Sequence, residues 1–175
     1  MTYTLEDLLH LMARLRDPKH GCPWDLKQDY ASIVQHTLEE AYEVADTIER
    51  GDFVHLQGEL GDLLFQVVYY SQLAREEGRF EFAGVVDAIT RKLIRRHPHV
   101  FPTGDLYAAL DTPRLSEAEV KARWEQIKAE ERAEHSEPEQ LSLLDDVPAA
   151  LPALSRAAKL QKRAATVGFD WPGAL

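Results

Sequence analysis

Two segments of this chain carry carboxylates at helical spacing beside apolar stripes, and this pattern constrains the fold more than any other feature. Glu39, Glu40 and Glu43 lie in LEEAYEV, and Glu59 and Asp62 lie in GELGDLL. Residues three or four apart share one face of a helix and lie about 5–6 Å apart. Two such helices folded back on each other would form one acidic pocket.

An acidic pocket of this kind needs a positive charge. Two carboxylates about 6 Å apart repel by roughly 3 kcal/mol at an effective dielectric near 20. Oxygen-only ligands favour a hard cation, and Mg²⁺ typically binds one or two carboxylates together with the phosphates of a substrate. A single Glu-x-x-Glu is usually a solvated helix face, so the metal hypothesis depends on the two pairs lying on consecutive helices. Glu39 is ambiguous, because it can face the site as a base or face solvent.

Every strong periodicity in the chain is helical, and no β pattern is present, so we predict an all-α fold. Capping boxes, glycines and prolines define the helix ends. The expected helices run from Thr4 to before Pro18, from the box of Ser32 and Gln35 to Gly51, from Asp52 to Gly78, from about Phe82 to before Pro98, from the box of Ser116 and Glu119 towards Ala133, and from Leu151 to Ala165.

The apolar stripes of these helices predict which side chains are buried. The expected buried residues are Leu5, Leu8, Leu9, Met12 and Leu15 in the first helix, Val34, Leu38, Ala41, Ala45 and Ile48 in the second, Leu56, Leu60, Leu63, Leu64, Val67 and Val68 in the third, and Phe82, Val85, Val86, Ile89 and Leu93 in the fourth.

Composition excludes several classes of function. The net charge of −10 argues against a DNA or RNA partner, whose binding needs a basic surface, but not against a single nucleotide neutralised by a metal. Cys22 is the only cysteine, so neither an internal disulfide nor a cysteine zinc site is expected. No apolar run approaches membrane-spanning length and the N-terminus lacks a signal-peptide pattern, so we expect a cytoplasmic protein.

Three further features allow a functional and a structural interpretation. Lys92 and Arg96, four residues apart in TRKLIRRHPHVF, either bind a triphosphate or interact favourably with the dipole at a helix C-terminus. Trp124, on a highly charged helix, is either a stacking platform for a base or an anchor to another subunit. His36 shares a face with Glu40 and either contacts a phosphate or sugar or packs structurally.

The segments LEEAYE, GELGDLLFQVV, RRHPHVF and RWEQIK, together with GCPWD and GFDW, resemble the MazG family of nucleoside triphosphate pyrophosphohydrolases. The resemblance covers nearly the whole chain. It implies an all-α enzyme with a four-helix-bundle site, generally an intertwined homodimer. It also implies hydrolysis of (deoxy)nucleoside triphosphates to monophosphates and pyrophosphate with Mg²⁺, for which Mn²⁺ is a possible substitute. Nucleotide-pool housekeeping is the expected role.

The same resemblance implies a role for individual residues. Glu39 or Glu43 is the expected base that positions the attacking water. The implied metal ligands are Glu40, Glu43, Glu59 and Asp62, and the implied substrate contacts are His36 and Glu40 for the nucleotide, Lys92 and Arg96 for phosphates, and Trp124 with Lys128 for the base.

We expect one pyrophosphohydrolase domain over residues 1–134, followed by a connector and C-terminal helical segment over residues 135–175. The part from Asp145 to Trp171 resembles the connector that leads into a second domain in two-domain relatives. The chain stops at Leu175 without a second acidic pair. We therefore expect either a single-domain member or a shortened piece of a longer chain.

Two other functions are compatible with a helical, acidic chain. A di-iron carboxylate bundle would need Glu-x-x-His on two helices, and the chain contains no Glu-x-x-His. A helical dimer that binds nucleotide without hydrolysing it, and acts as an interaction module, is the non-enzymatic alternative.

Overall fold

The structure is a computed structural model that describes residues 2–108, 115–135, 144–145 and 147–169. These residues contain α-helices and no strand, which confirms the all-α prediction. The helices are α1 (Leu5–Leu15), α2 (Tyr30–Glu49), α3 (Phe53–Glu76), α4 (Phe82–Arg96), α5 (Glu117–His135) and α6 (Ala153–Ala165), with one short 3₁₀ turn at Asp25–Lys27. None of the described helices is both long and apolar enough to span a bilayer.

The chain forms two compact units, Met1–Ala108 and Ala109–Leu175. The first unit contains α1 to α4, and the second contains α5 and α6. The expected domain boundary at residues 134 and 135 stays a prediction. Most of the predicted polar break HSEPEQ, and the last two residues of the GFDW motif, lie outside the described residues.

The helices α2 and α3 form an antiparallel hairpin because only three residues join them. Gly51 closes α2 with a φ of 68°, a left-handed conformation that glycine adopts without a steric cost. The carboxylate of Asp52 then accepts a hydrogen bond from the His55 backbone N–H at 3.3 Å and begins α3. The predicted turn between the two acidic segments is confirmed.

The predicted start of α2 is wrong by one helical turn. Asp29 caps the helix, because its side chain accepts a hydrogen bond from the Ser32 N–H at 2.8 Å. The Ser32 hydroxyl in turn accepts one from the Asp29 N–H at 2.9 Å. Ser32 is therefore the third helical residue and does not form the expected box with Gln35. By contrast, the predicted box of Ser116 and Glu119 is confirmed at the start of α5.

The core of the first unit is small and lies where α1, α2 and α3 meet. Its buried members are Met12, Ile33, Val68, Tyr69 and Leu73. Leu8, Leu9 and Leu15 pack against them, as predicted for the α1 stripe, whereas the prediction is wrong for Leu5, which is 39% exposed.

The apolar stripes predicted for α2, α3 and α4 are largely exposed on this chain. Nine of their residues, which we call the apolar face, have exposed fractions from 38% to 52%. These are Val34, Leu38 and Ile48 of α2, Leu60, Leu64 and Val67 of α3, and Val86, Ile89 and Leu93 of α4. The prediction that they are buried is therefore wrong for the chain alone. The buried residues of α2 are Ile33 and Thr47, because its carboxylate-bearing face packs on α3 and its apolar stripe points elsewhere.

A polar network fixes the GCPWD loop against α3. The Arg16 guanidinium donates to the Glu76 carboxylate at 2.7–3.0 Å and to the backbone carbonyl of Gln28 at 3.2 Å. The Tyr69 hydroxyl donates to the backbone carbonyl of Asp25 at 2.9 Å. Burial raises the pKa of the Glu76 carboxyl, but hydrogen bonds from Arg16 and Gln72 outweigh that effect and hold the pKa below its ordinary value of 4.5.

Replacing Arg16 with methionine should destabilise the first unit by about 2–3 kcal/mol. The Arg16 side chain is 8% exposed, and its loss removes a donor from the Gln28 carbonyl and from the Glu76 carboxylate. The expected loss of stability is smaller than for a fully buried ion pair, because about a third of the Glu76 side chain is exposed and solvent screens the pair. Urea unfolding of the parent and Arg16→Met measures the difference directly.

The matched control is Arg91→Met, which breaks an exposed, solvent-screened ion pair with Asp87 and should change the free energy of unfolding far less than Arg16→Met. Because the folded-state pKa of Glu76 is lowered, its stabilisation is present above pH 4.5 and is lost as the pH falls through the folded-state pKa. Arg16→Met should lack this acid-dependent loss. Equal destabilisation in the two variants would contradict the assigned network.

Candidate metal centre

Three carboxylates of the α2–α3 hairpin converge on one point. One carboxylate oxygen from each of Glu40, Glu43 and Glu59 lies within 4.8 Å of the other two. Glu40 and Glu43 are one turn apart on α2, and Glu59 faces them from α3. The structure therefore brings together three of the four predicted metal ligands.

Asp62, the fourth predicted ligand, lies outside this group of three but acts on it electrostatically. Burial raises the pKa of Glu40 above its ordinary value of 4.5. The negative charges of Asp62, Glu43 and Glu59 raise the pKa further. Glu40 is half-buried and has three acidic neighbours, so its charged form is unfavourable unless a cation binds.

The donor set fits a hard divalent cation. All the converging atoms are carboxylate oxygens, which suit Mg²⁺ and Mn²⁺ rather than metals that prefer sulfur or nitrogen. Glu43 is exposed while Glu40 and Glu59 are half-buried, so the group is open to solvent on one side. An ion held there can also bind phosphate oxygens of a substrate.

Glu39 lies apart from the converging carboxylates. Its side chain is 67% exposed, and its Oε2 atom lies 3.3 Å from Nδ1 of His36. The His36 ring meets the ring of Trp24 edge to face, with centroids 6.0 Å apart. Trp24, from the GCPWD motif, is a neighbour of the predicted nucleotide contact His36 that the sequence reasoning did not assign to the site.

The other predicted substrate contacts lie on α4 and α5. Lys92 is exposed on α4, and Arg96 is half-buried at the last residue of that helix. Trp124 and Lys128 contact each other on α5, with the Lys128 ammonium 5.0 Å from the centroid of the indole ring. Their assignment to phosphate and base binding stays a prediction.

Glu40→Gln should stabilise the metal-free protein and remove most of its response to Mg²⁺. The amide relieves the repulsion from three acidic neighbours, and a ligand is lost with it. In the parent, Mg²⁺ at 100 times its dissociation constant should add roughly 2.7 kcal/mol, on the order of 5–10 °C in melting temperature. Thermal melts with chelator and with Mg²⁺ provide the measurement.

Glu39→Gln is the matched control, because the residue is adjacent in sequence but outside the group, and its Mg²⁺ shift should equal that of the parent. The raised pKa of Glu40 also sets the sign of a pH effect: metal-free stability should fall as the pH rises through that pKa, and Glu40→Gln should weaken this dependence. A full Mg²⁺ shift in Glu40→Gln would show that Glu40 is not a ligand.

The part of the chain that forms the α2–α3 hairpin matches a known protein family. Residues 28–101 match the family model of the MazG nucleotide pyrophosphohydrolase domain. This range contains Glu40, Glu43, Glu59 and Asp62, so all four predicted ligands lie inside the matched domain.

Relatives named for the same activity extend over most of the chain. A nucleoside triphosphate pyrophosphohydrolase of Escherichia coli is 58% identical over 167 residues, which is 95% of this chain and 59% of that protein. The nucleoside triphosphate pyrophosphohydrolase/pyrophosphatase MazG of Thermotoga maritima is 39% identical over 95% of this chain and 58% of that protein. The chain thus spans less than two thirds of the length of these relatives.

A solved structure shows the same fold. The crystal structure of a MazG-related protein from Thermotoga maritima aligns with a TM-score of 0.57 at 23% identity, over 71% of this chain and 99% of that one. This likeness shows the fold, and the family model over residues 28–101, together with the identity to these relatives over 95% of this chain, shows that the chain carries a MazG-family domain.

Proposed function

We propose that this protein hydrolyses nucleoside triphosphates to nucleoside monophosphates and pyrophosphate in a Mg²⁺-dependent reaction. The observation that carries the proposal is the group of three carboxylates within 4.8 Å on the helix hairpin of a MazG domain. The names of its relatives support the same activity. Both ribose and deoxyribose substrates are included, and the proposed role is control of the nucleotide pool.

The carboxylates of Glu40, Glu43, Glu59 and Asp62 are the proposed ligands of Mg²⁺, with Mn²⁺ as a possible substitute. When bound, the cation neutralises phosphate charge and lowers the pKa of a coordinated water. The protein contributes a rigid arrangement, because the hairpin holds the carboxylates of α2 and α3 in place before the nucleotide arrives. The mutual repulsion of these carboxylates in turn favours any cationic ligand.

The reaction breaks the anhydride bond between the α and β phosphates, and the attacking water must lose a proton. Glu43 is the better supported acceptor, because it is exposed and its carboxylate lies in the converging group. One oxygen of Glu43 can bind the cation while the other accepts the proton. Glu39 is the other candidate; its carboxylate lies beside His36 and is not one of the three converging carboxylates.

The remaining substrate contacts follow from charge and ring chemistry. Lys92 and Arg96 are proposed to hold phosphate oxygens, and His36 to line the nucleotide. Trp124 and Lys128 are proposed to contact the base, since an indole ring offers a stacking surface that does not depend on base identity. The net charge of −10 disfavours nucleic acid polymers as partners.

The proposed active form is a homodimer. A soluble monomer rarely exposes so many large apolar side chains at helical spacing, and the buried core of the first unit is small. The apolar face occurs on α2 and α3, which position the carboxylates, and on α4. A second copy of the chain that covers this face would complete a four-helix bundle around the site.

Glu59→Gln should abolish pyrophosphate release from a panel of nucleoside triphosphates in the presence of Mg²⁺. The expected loss is at least 100-fold, in line with removal of one preorganised electrostatic contact. A circular dichroism spectrum with the same helical signal as that of the parent would show that the variant retains the fold. The assay without Mg²⁺ supplies the background rate.

Several outcomes of this assay separate the alternatives. A parent that binds nucleotides but releases no pyrophosphate would support the non-catalytic interaction module and contradict the proposed activity. If Glu39→Gln lowers turnover while its Mg²⁺ shift in melting temperature is unchanged, the base is Glu39 rather than Glu43.

Leu64→Glu should dissociate the proposed dimer, because it places a charge in the middle of the apolar face of α3. Sedimentation velocity at micromolar concentration should change from a dimer to a monomer. Leu11→Glu on α1 is the control, since Leu11 is 48% exposed but lies outside the apolar face. A monomeric parent, or equal dissociation by both variants, would contradict the proposed interface.

A further inference from the structure

Gln66 is a buried amide in the middle of α3. The residue is 7% exposed, and within the described part of the chain its Oε1 atom has no hydrogen-bond donor. A buried acceptor without a partner destabilises the folded state, because it loses its hydrogen bonds to water and gains none in return. An apolar side chain of similar length would avoid this cost, so the amide at this position requires an explanation.

The position of Gln66 on α3 relates it to the carboxylates. At 3.6 residues per turn, it lies one turn beyond Asp62 and two turns beyond Glu59, rotated from them by about 40° and about 20°. It therefore shares the face of α3 that carries both acids, and this face packs on α2.

Two groups of residues lie on either side of Gln66 along the hairpin. On one side, the hydroxyl oxygens of Thr37 and Tyr70 lie 2.8 Å apart. On the other side lies the group of three carboxylates that includes Glu40. In the antiparallel hairpin, Gln66 is therefore level with the α2 segment between Thr37 and Glu40.

The chemistry of the unpaired atom selects the part of a nucleotide that it can bind. An amide carbonyl oxygen only accepts hydrogen bonds, and the phosphate oxygens of a nucleotide at neutral pH are also acceptors. A nucleoside, by contrast, offers donors in its sugar hydroxyls and base N–H groups. A nucleoside attached to a phosphate that binds at the carboxylates would extend along the face of α3 that Gln66 shares with Glu59 and Asp62.

We infer that Gln66 is a substrate-binding residue whose side-chain carbonyl accepts a hydrogen bond from the nucleoside part of the nucleotide. This inference rests on the proposed function, because it takes the carboxylates as the place where the phosphates bind. Gln66 would then distinguish a nucleotide from an inorganic phosphate chain, which contains no nucleoside.

The test compares two ligands on the intact chain in the presence of Mg²⁺. Titration calorimetry measures the dissociation constants of a nucleoside monophosphate and of pyrophosphate, which contains no nucleoside. Gln66→Met keeps the length of the side chain and removes the acceptor. It should weaken monophosphate binding about tenfold or more and leave pyrophosphate binding within twofold. The melting temperature should be unchanged or higher, because an unpaired polar group is removed.

Gln72→Met is the matched control, since Gln72 lies on the same helix and its amide donates to Glu76 at 2.9 Å. It should leave the affinity for both ligands unchanged. Gln66→Leu provides a second apolar replacement if the methionine variant folds poorly. Comparison of ribose with deoxyribose, and of different bases, then identifies whether the lost donor was a sugar hydroxyl or a base N–H.

Equal weakening of both ligands would overturn the inference, because Gln66 would then support the metal site rather than the nucleoside. Unchanged binding of both ligands would overturn it as well. The comparison does not require turnover. A parent that releases no pyrophosphate would therefore contradict the proposed function while the two dissociation constants still decide the role of Gln66.

Discussion

The repulsion among the carboxylates between α2 and α3 is the constraint on which the rest of the structure depends. Three like charges whose oxygens lie within 4.8 Å would separate two unsupported helices. The hairpin stays closed because Gly51 and Asp52 make a short turn at one end. At the other end, the core around Ile33 and Tyr69 holds the helices together.

As a result, the inner faces of α2 and α3 carry the carboxylates, and their outer faces carry much of the apolar surface. The face of α2 that packs on α3 carries the carboxylates, while much of the apolar side chain area points away from the hairpin. If the two helices packed only to bury their own apolar stripes, the apolar side chains would lie between the helices and the carboxylates would point outwards. The proposed metal site and the proposed second copy are therefore linked, since the carboxylates occupy the inner surface and the second copy would cover the outer one.

The sequence predicted the helices, most of their ends and the converging carboxylates, because these depend on spacing within one segment. It failed where the outcome depends on a distant partner. Periodicity identified the apolar stripe that contains Leu38 and Leu64 but could not show that this chain leaves it exposed. The ion pair of Arg16 with Glu76 joins residues 60 positions apart and has no local signature. The burial of Gln66 was missed for the same reason.

Anomalous diffraction from crystals soaked in Mn²⁺ tests the central claim most directly, because it locates the cation without assuming any catalytic activity. If these carboxylates bind a divalent cation, we expect a strong anomalous peak bounded by Glu40, Glu43 and Glu59. A peak at another cluster, or no peak here at saturating Mn²⁺, would contradict it.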